Sequence, residues 1–187
     1  MSEPLGLTDC EALAEGVLAQ PINALSSLTF LIAGSVVLIL LHRSTSSIPA
    51  MAWVASALLA LIGLGSFDYH GSQSAIANLL HNASILFLLA LLGVVLVARL
   101  IRRTSLFPGL GRSQLLWVGV LILAGCVCYG FGRTASALCS PASPFQWHAL
   151  WHTLAAAISA VIIWSMWTEG KGPDSVSGAT TDGDAIV

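Results

Sequence analysis

The sequence has 187 residues, of which 56% are hydrophobic and only 9% are charged, and its formal net charge at pH 7 is −2. Soluble globular domains carry about 25% charged residues, so this composition argues against a water-soluble protein and for one embedded in a bilayer. The seven basic residues form no basic groove or aromatic ladder, which argues against nucleic-acid binding.

Five apolar segments are predicted to cross the membrane. Each is close to the roughly 20 residues that span a hydrocarbon core, where only a helix satisfies all of its own backbone groups. They lie at about residues 22–41, 50–69, 75–98, 114–132 and 146–167. The predicted fold class is all-α, a polytopic transmembrane bundle with about five spanning helices. This transmembrane domain takes in residues 1–168, and the small, polar and Gly-rich residues 169–187 are expected to be a disordered cytoplasmic tail.

The basic residues predict the orientation of the bundle. With five spans the two termini lie on opposite sides, and only Arg133 falls on the side of the N-terminus. The other basic residues fall on the side of the C-terminus: Arg43, Arg99, Arg102, Arg103, Arg112 and Lys171. The positive-inside rule therefore places the N-terminus outside the cell or in a lumen and the C-terminus in the cytoplasm.

The four cysteines divide into two pairs. Cys10 and Cys139 fall on the external or lumenal side, where the compartment permits a disulfide. Cys126 and Cys128 lie inside the fourth predicted helix, where we expect them to pack as small hydrophobic side chains.

Four histidines are predicted to meet at the external ends of the helices. His70 ends the second helix, His81 lies about two turns into the third, and the FQWHALWH stretch puts His148 and His152 at the start of the fifth. Residues i and i+4 share a helix face, so His148 and His152 can direct both rings at one point, and His70 would complete a set of three. Three neutral imidazoles with an open fourth position are typical of a catalytic zinc.

Ser66 precedes His70 by four residues and therefore lies on the same helix face. We expect its hydroxyl to hold the water on the metal or a developing oxyanion. Other interpretations of the histidines stay open. A His-x-x-x-His pair also serves haem, copper or plain packing, and histidines on facing helices could be the axial ligands of a b-type haem.

Three blocks of the sequence resemble the alkaline ceramidases, which belong to a wider group of seven-helix membrane hydrolases that includes the adiponectin-receptor-like proteins. The blocks are DCEALAEGVLAQPINALSSLTFLIAG at 9–34, GLGSFDYHGSQSAIANLLHN at 63–82 and QWHALWH at 146–152. The first is similar to the family's Cys-Glu followed by Glu-x-x-Asn and Ser, and the second to its Gly-x-Gly-Ser-x-x-x-His. They fall on the first, second, third and last predicted helices.

The resemblance implies an integral membrane zinc-dependent hydrolase of sphingolipid metabolism. His70, His148 and His152 would bind zinc, and Ser66 would assist at the metal. The zinc would activate a water that attacks the amide carbonyl of a ceramide in the membrane, releasing a fatty acid and a sphingoid base.

The resemblance also implies two features of the N-terminal segment. Cys10 would pair with a cysteine in a later loop, for which Cys139 is the candidate. A weak calcium site would lie nearby, with Glu11 and Asn23 at matching positions and Asp9 as a neighbour.

The chain departs from the family at three points. His81 stands where the family has an acidic residue, and it would either transfer protons or become a fourth ligand, which would make the site structural. Gln20 replaces a family glutamate, which should weaken the calcium site. One predicted span stands between the third and last helices, where the family has three. The alternative function is therefore a non-catalytic metal-binding membrane protein of the same fold, with His81 as the fourth ligand.

Overall fold

The computed structural model describes residues 4–44 and 47–168. The predicted cytoplasmic tail, residues 169–187, and Lys171 within it lie outside the described residues. Within the described part the chain is all-helical, and its only β-type pairing is an isolated bridge between Asp9 and Arg133. The predicted all-α fold class is confirmed.

The described residues form five long helices. In chain order they are α1 (Pro21–Ser44), α2 (Ala50–His70), α3 (Ala77–Ile101), α4 (Arg112–Phe131) and α5 (Trp147–Trp167). The shortest has 20 residues and the longest 25, so at a rise of about 1.5 Å per residue each can cross a hydrocarbon core of about 30 Å. All five are apolar enough to do so. The predicted spans agree with these helices to within a few residues, and the chain is a multi-pass membrane protein.

The helices are arranged as a row that curves round a cavity. α1 packs against both α2 and α5, α2 packs against α3, and α4 packs against α5. A smaller contact between α2 and α5 closes the middle of the row. The core lies between these central helices, where Val37, Leu41, Leu59 and Ile163 are fully buried. This core holds α1, α2 and α5 together. α2 and α5 carry the three histidines predicted to bind metal, and α1 packs against both of these helices.

The two outer helices, α3 and α4, are joined to the rest of the bundle on one side only. Within the described residues no interface between α3 and α4 compares with those that join the other neighbours. Large apolar side chains on both helices are exposed, among them Leu86, Phe87, Leu116 and Trp117. Exposed apolar surface is expected where a helix faces lipid. Since α3 and α4 are also not packed against each other in the described residues, we infer that the row is open to the bilayer on this side.

Candidate metal centre

Three histidines from two helices meet at one end of the bundle. His70 is the last residue of α2, and His148 and His152 lie in the first two turns of α5. The ring centroids of His148 and His152 are 4.6 Å apart, and each lies 5.2 Å from that of His70. All three side chains are buried, and one ligand nitrogen from each lies within 4.8 Å of the other two. The predicted convergence of these rings is therefore present in the structure.

The hydrogen bonds of His152 determine which of its nitrogens is free. Its Nδ1 lies 2.9 Å from Ser26 Oγ and 3.3 Å from Ser27 Oγ. Both hydroxyls already donate their single proton to the carbonyl oxygen of Asn23, at 2.9 and 2.8 Å, so each can only accept a second bond. Nδ1 of His152 must then carry the proton and donate. Its Nε2 is left with a lone pair for a metal.

His70 is held in the same tautomer by a different group. Its Nδ1 lies 2.7 Å from Oε1 of Gln20, an amide oxygen that can only accept, so Nδ1 donates and Nε2 is free. The amide nitrogen of Gln20 donates in turn to the carbonyl oxygens of Gly6 and Glu11, at 3.0 and 2.8 Å. Because Gln20 is fully buried and bonded at both ends, the His70 ring is fixed in orientation.

These residues fit a divalent metal. Two nitrogens that each bind a shared ion at about 2.1 Å can be at most about 4.2 Å apart. The three ligand nitrogens lie within 4.8 Å of one another, so a small adjustment of the rings would bring them to an ion. Three neutral nitrogens suit zinc and other ions that favour imidazole better than magnesium or calcium. The rings of His70, His148 and His152 lie too close together for a porphyrin plane to pass between them, which disfavours the haem interpretation.

The GLGSFDYH stretch positions His70 relative to α3. A Cβ added at Gly65 would lie 2.8 Å from the backbone nitrogen of His81, so only glycine allows α2 and α3 to approach this closely. Asp68, in the same stretch, accepts hydrogen bonds from the hydroxyls of Ser72 and Ser74 in the turn that follows α2. Asp68 therefore stabilises this turn and is not part of the histidine cluster.

Ser66 lies behind the histidines. Its hydroxyl is fully buried and lies 2.8 Å from Ser27 Oγ, one of the two hydroxyls that accept from His152. It is absent from the lining of the neighbouring cavity. This geometry favours indirect support of His152 through Ser27 over the predicted contact with the reacting water or an oxyanion.

His81 faces the same space from α3 but stands apart from the three-histidine cluster. Its ring centroid is 5.0 Å from that of Tyr69, and it lines the cavity beside Asn82. Its nitrogens are not among those that lie within 4.8 Å of one another. Its buried Nδ1 has no hydrogen-bond partner among the described residues. The geometry therefore favours His81 as a side chain that contacts a molecule bound in the cavity, and disfavours it as a fourth ligand of the metal.

A cavity of about 530 Å³ extends from the histidines into the bundle. Its polar end has Thr8, Asp9 and Arg133, and its walls deeper in are mainly apolar. These walls are formed by Phe30, Ile62, Ile85, Leu88, Leu89, Trp151 and Ala155. Pockets for small molecules usually measure about 300–1,000 Å³ and combine apolar walls with a few polar groups, as this one does.

The N-terminal segment closes the polar end of the cavity. A disulfide joins Cys10 to Cys139, as predicted, and Asp9 forms an ion pair of 2.7 Å with Arg133. Burial raises the pKa of Asp9 to about 6, although the positive charge of Arg133 acts in the opposite direction. Arg133 pairs with this buried carboxylate and lies over the ring of Tyr129, so it is not simply a solvated surface charge.

The three residues predicted to bind calcium differ in their contacts. Both carboxylate oxygens of Glu11 accept backbone N–H groups at the start of α1, from Ile22 and Asn23, each at 2.8 Å. Burial raises the pKa of Glu11, and these two bonds oppose the rise. The side-chain amide of Asn23 is buried without a partner among the described residues, while Asp9 is paired with Arg133. Glu11 thus acts as a cap for α1, and the calcium site stays a prediction.

Comparison of the chain with protein-family models, with curated proteins and with solved structures finds no match in any of the three. The resemblance to the alkaline ceramidases therefore depends on the three sequence blocks and stays a prediction.

Replacing Gln20 by alanine is expected to lower the affinity of the site for zinc by about 10–100-fold, the usual effect of removing a group that orients a metal-binding histidine. Three buried partners of Gln20 would also be left unpaired, at a cost of about 1–3 kcal/mol each, so the unfolding midpoint should fall. Zinc retained during titration with a chelator and thermal unfolding in detergent measure the two effects. Gln73→Ala is the matched control, because the side chain of Gln73 bonds only the backbone of Leu5. Equal zinc retention in the two variants would contradict the role of Gln20.

Proposed function

We propose that the protein is an integral membrane zinc-dependent hydrolase that cleaves the amide bond of a ceramide-like lipid to a fatty acid and a sphingoid base. The observation that carries the proposal is a cluster of three buried histidines at the head of a mainly apolar cavity, two of them held by the chain with Nε2 unprotonated. A lipid amide is amphiphilic, so its polar group can reach the histidines while its hydrocarbon chain lies along the apolar walls.

The chain's own residues would divide the work as follows. His70, His148 and His152 would hold the ion through Nε2, and Gln20, Ser26 and Ser27 would keep two of these rings in place. A bound zinc supplies polarisation of the carbonyl and a water of lowered pKa. His81 lines the cavity within reach of a ligand and is the group proposed to transfer a proton to the leaving amine.

The open side of the helix row supports a substrate that arrives from the bilayer. The cavity is lined on one flank by α3, through Ile85, Leu88 and Leu89, and on the other by α4 and α5, through Tyr129 and Trp151. Since no packed interface joins α3 and α4 in the described residues, a hydrocarbon chain can pass between them without leaving the membrane.

Two features support placing the site on the external or lumenal side. The disulfide lies at the same end of the bundle as the histidines, and disulfides persist in oxidising compartments. At the other end, the connection from α3 to α4 carries Arg102 and Arg103, with Arg99 and Arg112 in the adjoining helices. Basic residues concentrate in cytoplasmic connections.

The test is an assay of the purified full-length protein with a ceramide in mixed micelles, with metal content measured on the same sample. We expect about one zinc per chain and release of both a fatty acid and a sphingoid base, with release stopped by a chelator and restored by zinc. The matched control is a sphingoid base with no acyl group, which has no amide bond to cleave and should be unchanged. Bound zinc without release of either product would instead favour the non-catalytic alternative, and absence of both zinc and release would remove both functions.

A further inference from the structure

One carboxylate lies directly against the histidine cluster. Oδ1 of Asp9 is 3.4 Å from Nδ1 of His148, and the Asp9 side chain is only 4% exposed. Nδ1 of His148 is buried and has no hydrogen-bond partner among the described residues, and the carboxylate of Asp9 is a charged group that lies close to it. His70 and His152 face neutral oxygen atoms at the corresponding position, and His148 alone faces a charged one.

Asp9 is not part of a helix, and contacts with the connection between α4 and α5 hold it in place. Cys10, the next residue, is joined to Cys139 by the disulfide and donates its backbone N–H to the carbonyl of Gly132 at 2.8 Å. Asp9 itself pairs with Arg133 through the isolated backbone bridge. A Cβ at Gly132 would lie 2.7 Å from the backbone nitrogen of His148, so this connection packs directly on the start of α5.

We propose that Asp9 is a positioning residue for the metal centre, and that the Cys10–Cys139 disulfide holds its carboxylate against His148. The inference rests on the proposed metal site but not on hydrolysis. A carboxylate that accepts the Nδ1 proton of a ligating histidine fixes the ring and makes Nε2 a stronger donor to the metal. The 3.4 Å separation exceeds an ordinary hydrogen bond. It should shorten when His148 binds an ion, because coordination makes the Nδ1 proton more acidic.

The competing explanation is that Asp9 only forms an ion pair with Arg133. Two variants separate these roles because each removes the ion pair and only one removes the carboxylate. In Asp9→Asn the charge that faces His148 is lost, whereas in Arg133→Gln the carboxylate remains beside His148. Asp68→Asn is a further control, since Asp68 is a carboxylate near the same end of the bundle that bonds only its own turn.

The experiment measures zinc affinity of the purified full-length protein by competition with a chromophoric chelator. We expect Asp9→Asn to weaken binding by about 10–100-fold, and Arg133→Gln and Asp68→Asn to change it by less than about 3-fold. The visible spectrum of the cobalt-substituted protein is a second readout, because it reports the geometry around the metal. It should change in Asp9→Asn and stay the same in Arg133→Gln.

The role of the disulfide is tested by the double variant Cys10→Ser/Cys139→Ser. It should weaken zinc binding as Asp9→Asn does, and adding Asp9→Asn to it should weaken binding no further, because both changes act through one contact.

Unchanged affinity in Asp9→Asn, or an equal loss in Arg133→Gln, would overturn the inference even if the wild-type protein hydrolyses ceramide. Should the disulfide variant fail to fold, the comparison of Asp9→Asn with Arg133→Gln decides. Zinc binding without hydrolysis would overturn the proposed function and leave the affinity measurements valid, whereas a wild-type protein that binds no zinc would overturn both.

Discussion

Replacing His152 by alanine is expected to remove the bound metal and, with it, ceramide hydrolysis. His152 is 3% exposed and lies within 5.2 Å of both other rings, so its loss leaves two ligands where a stable site needs at least three. In the proposed mechanism a bound metal lowers the barrier by several kcal/mol, so its loss is expected to lower kcat/KM by about 10³-fold or more. Elemental analysis and the release of sphingoid base, measured on one preparation, check both expectations.

His42→Ala is the matched control for this change. His42 is an exposed histidine in the last turn of α1, at the opposite end of this helix from Ser26, which contacts the cluster. Its replacement should alter neither metal content nor turnover. Both variants should keep the helical circular dichroism of the wild type, so that loss of metal is not confused with loss of fold. Full metal content in His152→Ala would refute the three-histidine site.

Replacing His81 by alanine is expected to lower kcat by about 10²–10⁴-fold while the metal remains bound. His81 lines the cavity, but its nitrogens lie outside the set that could share an ion, so its removal should affect proton transfer and not metal affinity. In His81→Asp, a carboxylate restores a group that can accept and donate protons, and turnover should recover in part. Kinetics and metal analysis on the same samples measure the two effects separately.

Asn82→Ala serves as the control for His81, because Asn82 is the next residue, lines the same cavity and carries no titratable group. It should affect KM more than kcat. If His81→Ala loses the metal, His81 is a fourth ligand, and the non-catalytic alternative is favoured over a hydrolase.

The helices could be predicted from the sequence because the bilayer imposes a single solution on each apolar segment. Length and composition alone located α2 and α5 to within about one residue of their observed ends. The convergence of His70 with His148 and His152 followed from the direction in which successive spans run, which fixes the end of the bundle that each residue reaches. The pairing of Cys10 with Cys139 depended on the same argument, since both segments lie at that end.

The groups that support the histidines could not be predicted, because they depend on how each helix is rotated and where the N-terminal segment runs. In the sequence Gln20 stands out only as the loss of a negative charge, although its amide both orients His70 and binds two carbonyl oxygens. Ser66 does share a helix face with His70, as the i and i+4 spacing requires. That spacing does not say on which side of the rings its hydroxyl lies, and the structure places it against Ser27.

The gap between α3 and α4 makes the host membrane a structural component of the chamber. Because no packed interface joins α3 and α4 in the part of the chain that the structure describes, neighbouring phospholipid tails are expected to complete the wall on that side. The width of the gap should then follow the thickness and order of the surrounding lipid, and turnover in nanodiscs should vary with phospholipid chain length even when ceramide concentration is constant. A detergent micelle offers a different wall from a bilayer, so rates measured in the two environments are expected to differ for reasons unrelated to the chemistry at the histidines.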